Sequence, residues 1–270
     1  LHKLSVVETS MEQRTLKKVI LNENIDTLTI GGYISRGDVP QQSVELVGLS
    51  RLNRLKCLSY NPDFSPIATK DLPKNIEELY IGGSGNVPYK DGDSFDYSHL
   101  SKLKIYSNGK FISANMKLST AIDSIYLFPS QVFGDLKVLD FSSLKFTKAD
   151  IYIGSLMRND VELPMLKRFV FPATLKQLKL SNAQAEVVDL SRCTHLKSLY
   201  VIESGAGERA IKKLILPKNL KKSDFKRQYK TEFENDYAFK LADINKETVI
   251  ENLPSWVEND GNGTYSVPNE

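Results

Sequence analysis

Apolar residues along this 270-residue chain recur in one short phrase, apolar-x-x-apolar-x-apolar, rather than with a helical period. The phrase is clearest at Leu175/Leu178/Leu180 and Leu196/Leu199/Val201. It also fits Ile25/Leu28/Ile30, Leu52/Leu55/Cys57, Ile76/Leu79/Ile81, Leu100/Leu103/Ile105 and Ile122/Ile125/Leu127. Weaker copies put Lys148 ahead of Ile151 and Ile153, and Leu220 ahead of Ser223 and Phe225. Alternate residues of a strand point to opposite faces. The last two apolar positions of each phrase therefore face inward and the residue between them faces out. One such unit cannot cover its own apolar side, whereas stacked units bury Leu over Leu and complete each other's backbone ladder.

The phrases start 21 to 27 residues apart, about 24 on average. That period predicts a leucine-rich repeat solenoid: horseshoe-like, β-rich, with few short helices, and about nine coils. A second apolar series runs about nine residues upstream in several repeats, clearest at Leu16/Val19/Leu21, Leu166/Phe169/Phe171 and Ile211/Leu214/Leu216. Weaker members are Val44/Leu46, Phe95/Tyr97, Leu136/Leu139/Phe141 and Val188/Leu190. Short links such as Pro172-Ala-Thr174 and Pro217-Lys-Asn219 join the two series, and Pro73-Lys-Asn75 precedes Ile76 in the same way. Proline fixes φ and removes a donor, which ends one strand and turns the chain. The best helix candidates are short, Met11–Leu16 and Ser204–Lys213. The expected organisation is an N-terminal cap over residues 1–15, the solenoid over 16–225, and a C-terminal cap over 226–270. That last stretch holds a small hairpin around the turn Asn259-Asp-Gly-Asn-Gly263.

Composition narrows the class without changing it. With 41% apolar and 26% charged residues the chain reads as an ordinary globular protein, neither disordered nor membrane-spanning. A net charge of +3 is too weak to imply nucleic acid as a partner. No apolar signal segment follows Leu1-His-Lys3, and a chain that opens on leucine is compatible with a trimmed, exported product.

Candidate chemistry is sparse. Cys57 occupies an apolar slot and Cys193 a step before a strand; about six coils apart, roughly 29 Å, they are not expected to bridge. His99 and His195 occupy equivalent turn positions four coils apart and cannot share a site. No nucleophile–base constellation and no metal-ligand spacing appears, so no catalytic residue, cofactor or metal is expected. Asp91-Gly-Asp93 and Asp260-Gly-Asn262 suit turns better than calcium loops. Asn262-Gly-Thr264 is a formal glycosylation sequon. The sharpest signal is the outward residue of each phrase: Thr29, Lys56, Tyr80, Lys104, Tyr126, Tyr152, Lys179, Tyr200 and Asp224. Stacking places these in one row, and tyrosine gives large contact area with a hydroxyl handle. Lys56, Tyr80, Lys104, Tyr126, Tyr152, Lys179 and Tyr200 are the predicted partner-binding residues. The strand propensity of tyrosine and the solubilising charge of lysine give a plainer account of the same row.

Ile211-Lys-Lys-Leu-Ile-Leu-Pro-Lys-Asn-Leu220 resembles the leucine-rich repeats of BspA-like bacterial surface and secreted proteins, common in Bacteroidetes. Leu16-Lys-Lys-Val-Ile-Leu-Asn-Glu-Asn-Ile25 and Leu166-Lys-Arg-Phe-Val-Phe-Pro-Ala-Thr-Leu175 share the pattern, as does the step Ser191-Arg-Cys193-Thr-His-Leu196. The resemblance covers roughly residues 16–225, and the middle repeats lack that family's Gly-x-x-Ala-Phe segment. It implies a non-enzymatic module for adhesion or recognition at the cell surface or outside the cell, in secreted or lipid-anchored form. The expected partner is a protein, of the host or the extracellular space, bound by a monomer; a glycan is the alternative, since aromatic rows also stack on sugar rings. Pro73-Lys-Asn-Ile-Glu-Glu-Leu-Tyr-Ile81 is also similar to repeats of secreted bacterial effectors. Residues 226–270 hold no cysteine for the ubiquitin-ligase domain that some of those carry.

Overall fold

A computed structural model describes residues 2–10, 15–34, 43–83, 88–90, 92–154, 157–158, 161–162, 164–204, 206–225, 227–229 and 235–268. Parallel strands dominate, and the only helical segments among the described residues are three-residue 3-10 turns: Leu49–Arg51, Thr69–Asp71, Gly207–Arg209 and Lys222–Asp224. Most of the predicted helix Met11–Leu16 lies outside the described residues. The predicted helix Ser204–Lys213 shrinks to the turn Gly207–Arg209, because Gly207 sits at φ +54° and the chain then straightens into Lys213–Ile215. Two compact units divide the chain, Leu1–Ile122 with Gln131–Gly134, and Asp123–Ser130 with Asp135–Glu270.

The first unit is built on parallel strands Lys3–Ser10, Thr27–Ile34, Cys57–Tyr60, Glu78–Ile81 and Ile105–Asn108, each paired with the next. Their register stacks Leu4, Leu28, Leu58, Leu79 and Tyr106 in one inward column, and Val6, Ile30, Tyr60, Ile81 and Asn108 in the next. From Leu28 and Ile30 onward these side chains are buried. Asn108 tolerates its slot because every polar atom is used: its amide donates to the Tyr106 hydroxyl at 3.0 Å, and its Oδ1 accepts the N–H groups of Lys110 and Phe111 at 3.0 and 3.1 Å. Opposite the strands, Phe95 and Phe111 pack at 4.6 Å between ring centroids and Tyr97 leans on Tyr106 at 5.3 Å. The upstream apolar series forms its own short pairs here, Lys18–Ile20 with Glu45–Val47 and Phe95–Asp96 with Met116–Lys117.

Two parallel sheets make up most of the second unit. One runs Ser124–Leu127, Lys148–Tyr152, Gln177–Ser181, Ser198–Ile202 and Phe239–Ala242. Its inward columns are Ile125, Ala149, Leu178, Leu199, Phe239 and Leu127, Ile151, Leu180, Val201, Leu241, all buried. The other sheet holds the upstream series in register, Leu139, Phe169, Val188, Leu214 and Ile250. Phe239–Ala242 is closed by antiparallel Tyr265–Ser266, which pairs in turn with Glu258–Asn259.

A turn repeats ahead of the strands. In the first unit Leu55, Ile76, Leu103 and Ile122 donate their N–H to the carbonyls of Leu52, Pro73, Leu100 and Ser119, at 3.0, 3.3, 3.0 and 3.4 Å. Leu175 and Leu196 do the same to Pro172 and Cys193 in the second, at 3.1 and 3.2 Å. This turn shifts the apolar phrase in two places. Leu52 and Leu100 close turns rather than open strands, so the inward positions are Leu55/Leu58/Tyr60 and Leu103/Tyr106/Asn108. Cys57 consequently leaves the apolar slot assigned to it and lies half-buried on the outer face.

Candidate functional site

The register fixes which residues share the outward row. In the first unit it is Ser5, Thr29, Ser59, Tyr80 and Ser107. In the second it is Tyr126, Asp150, Lys179, Tyr200 and Lys240. Thr29 thus stands where the phrase puts it, and so do Tyr80, Tyr126, Lys179 and Tyr200 of the predicted partner-binding residues. Tyr152 lies on the same outward face one alternation further along, opposite Ser181.

Lys56 and Lys104 do not join the row, because the turns closed by Leu52 and Leu100 shift the phrase ahead of their strands. Both sit at the entrance to those strands, on either side of Glu77, with ammonium–carboxylate distances of 3.9 and 2.9 Å. Lys104, hydrogen-bonded to Glu77, holds that carboxyl below its ordinary range. Asp224 falls in the 3-10 turn Lys222–Asp224, and Lys240 takes the next row position after Tyr200.

The two rows differ in chemistry. Tyr80's neighbours in the row are the small hydroxyls Ser59 and Ser107, and the Tyr80 phenol is tied to Glu78 within its own strand at 3.0 Å. On the second unit, Phe128 follows Ser124–Leu127 and is 40% exposed, and Tyr152 is 45% exposed. Large apolar surface left open on a sheet face is the observation that needs explaining. Local contacts hold the Tyr152 and Tyr126 rings. Tyr152 lies against Gly154, whose φ is +58°; a methyl group there would meet the ring at 2.7 Å. The Lys148 ammonium sits 5.5 Å from the Tyr126 ring centroid, a cation–π distance. Lys179 spans 3.5 Å to Asp150 on the neighbouring strand. The result is an outward face of ordered aromatic rings with charges among them. The phrase does not reveal Phe128, Lys148 or Lys240. Phe128 and Lys148 lie outside its central slot, and Lys240 comes after a stretch with no apolar spacing to mark it.

Four other titratable groups, His2, His99, Cys193 and Glu203, are engaged within the fold. His99 donates Nδ1–H to the Asp96 carbonyl at 3.2 Å, and His2 lies 2.9 Å from Asp26. Buried Glu203 accepts the N–H groups of Ala183 and Ile211 at 3.0 and 3.2 Å, and burial raises its pKa despite them. Both cysteines are free thiols. Cys193 is buried and donates to the Pro172 carbonyl at 3.4 Å, and burial pushes its thiol up to about 12. Among the described residues no cluster of three or more His, Cys, Asp or Glu is placed to hold a metal, and no helix is long and apolar enough to cross a membrane. Comparison with protein-family models, with curated proteins and with solved structures gives no match.

Proposed function

We propose that this chain is a leucine-rich repeat solenoid of the BspA-like kind, working as a non-enzymatic recognition module at the cell surface or outside the cell. Its ligand is a protein, bound through the outward sheet face of the second unit. The observation that carries this reading is the alignment of Tyr126, Asp150, Lys179, Tyr200 and Lys240 in one row, with exposed Tyr152 on the same face and exposed Phe128 just past the end of the first strand. Ordered aromatics supply contact area at low entropic cost, which is why protein-binding surfaces favour them, while the interspersed charges give register to the partner. The recurring turn and the stacked leucines support the repeat assignment.

A photo-crosslinking residue placed at Tyr152 tests the reading against one placed at Lys167 on the second sheet. The Tyr152 position is expected to capture a defined protein that the Lys167 position does not. The double variant Tyr126→Ala/Tyr152→Ala is expected to lose that capture with its melting temperature unchanged. Equal capture from both positions, or full capture by the double variant, overturns the protein-binding face. Saturable binding on a glycan array, lost in the same variant, moves the assignment to a sugar.

A further inference from the structure

At the strand entrances of each unit runs a column of residues whose N–H groups donate to the carbonyl of the residue one strand back. In the first unit Lys56 donates to Asp26, Glu77 to Lys56 and Lys104 to Glu77, at 2.8, 2.7 and 2.8 Å. In the second, Thr147 donates to Asp123, Lys176 to Thr147 and Lys197 to Lys176, at 2.9, 2.8 and 2.8 Å. The two columns share a backbone pattern and differ in charge. In the first unit each carboxylate lies between two basic groups. Asp26 faces His2 and Arg54 at 2.9 and 3.2 Å, and Glu77 faces Lys56 and Lys104.

The second column has no such balance. Asp123 accepts the Thr147 hydroxyl at 2.9 Å and keeps its charge, but only for the first strand. Lys176 and Lys197 then follow each other on neighbouring strands. Both are exposed, and neither has a carboxylate within ion-pair distance among the described residues. Like charges set side by side on adjacent strands are destabilising. The surplus continues onto the outward face, where Lys148 sits against the Tyr126 ring and Lys240 ends the row. Take the five strands of this sheet, each with the residue just ahead of it. Lys148, Lys176, Lys179, Lys197 and Lys240 then stand against Asp123 and Asp150, both counted as charged. That excess equals the net charge of +3 of the whole chain, so the positive charge is concentrated on this one face.

We propose that the partner of this face is a protein segment rich in aspartate and glutamate, whose carboxylates are held by Lys148, Lys176 and Lys197 while its apolar atoms lie on the tyrosine row. Asp150 stands second in that row and would oppose a uniform polyanion such as a nucleic acid, whereas a protein segment can set a neutral or basic residue opposite it. The inference rests on the protein-binding reading and names the character of the partner.

Fluorescence anisotropy on the full chain tests it with a labelled twelve-residue peptide alternating glutamate and alanine, and with its glutamine counterpart. The glutamate peptide is expected to bind saturably with a dissociation constant on the order of 100 μM at low salt, roughly tenfold or more tighter than the glutamine peptide. Its affinity is expected to fall roughly tenfold between about 50 and about 300 mM salt. Lys176→Gln/Lys197→Gln is expected to erase the preference. Lys70→Gln/Lys74→Gln, which removes the same charge from exposed positions on the first unit, is expected to keep it. Circular dichroism confirms that both variants are folded before they are counted. Equal affinities of the two peptides, an undiminished preference in the Lys176/Lys197 variant, or equal losses in both variants overturn the proposal. So does tighter binding of a twelve-nucleotide single-stranded DNA than of the glutamate peptide. The two readings fail separately. A Tyr152 crosslink that captures its protein equally well from the Lys176/Lys197 variant overturns the acidic partner and leaves the binding face. Lysine-dependent peptide binding with no captured protein overturns the face and leaves the acidic preference.

Discussion

Leu178 and Lys179 are neighbours in one strand with opposite roles, and substituting each by alanine separates the core from the row. Leu178 is 1% exposed and sits in register between Ala149 and Leu199. Removing three side-chain carbons forfeits about 2.4 kcal/mol of transfer free energy at about 0.8 kcal/mol per carbon. The cavity left beside the small Ala149 brings the expected total to about 3–4 kcal/mol. Lys179 is exposed and its ion pair with Asp150 spans 3.5 Å. Such a surface pair contributes at most about 1 kcal/mol, so Lys179→Ala is expected to cost less than that. Trp256, the one tryptophan of the chain, reports on this unit: it lies 5.3 Å from Phe239, whose strand pairs with Ser198–Ile202. Its fluorescence during urea unfolding is expected to show the midpoint falling by roughly 1 M for Leu178→Ala, taking a slope of about 3 kcal/mol/M, and hardly moving for Lys179→Ala. A loss below about 1 kcal/mol at Leu178, or equal losses at both positions, refutes the inward stacking of this column.

Buried titratable groups give two further outcomes. Glu203 has a raised pKa in the folded chain, so the native state keeps a proton that the unfolded state releases above its ordinary value of 4.5. Stability from this group is present below that value and is lost as pH rises through the folded pKa. Relative to the unaltered chain, Glu203→Gln is therefore expected to gain melting temperature from pH 4.5 up to the folded pKa and to hold that gain above it; a difference flat from pH 4.5 onward, or one of opposite slope, counts against the buried carboxyl. With a thiol pushed up to about 12, Cys193 is expected to resist iodoacetamide at neutral pH until the chain unfolds. Half-buried Cys57, raised by burial and then by neighbouring Glu78, reacts in the native state more slowly than a free thiol. Peptide mapping after labelling distinguishes the two, and native-state modification of Cys193 at the rate of Cys57 contradicts the burial.

How much of the fold is legible in the sequence depends on how unambiguous the apolar spacing is. Leu175/Leu178/Leu180 has polar neighbours on every side and Leu196/Leu199/Val201 has them at its first two positions, apart from Tyr200, so one register fits each and spacing alone places Lys179 and Tyr200. Leu52, Leu55 and Leu58 are spaced three apart, so the phrase fits them in two ways. The choice between those fits depends on a backbone hydrogen bond to the Leu52 carbonyl, which leaves no trace in residue type. Tyr60, Tyr106 and Asn108 hide the pattern further by filling core slots with groups that read as surface residues. Buried Tyr106 is acceptable there because Tyr97 packs on its ring and Asn108 donates to its hydroxyl. Near Lys148 the phrase slips by two, since the inward residues are Ala149 and Ile151 and the small alanine carries little hydrophobic signal. That slip also hides Asp150 and puts Tyr152 in its place.

The turn that precedes the strands accepts leucine, proline, serine or cysteine at the position whose carbonyl closes it. A single main-chain contact, indifferent to side-chain identity, therefore sets the phase of the strand beyond it. Residues added or deleted in the links that lie outside both strand series change only the length of a surface excursion. One residue added between the contact and the strand inverts the strand, driving its leucines into water and its row residue into the interior. Tolerance to length change along this polypeptide should therefore alternate sharply, permissive in those links and lethal to folding just after each closure.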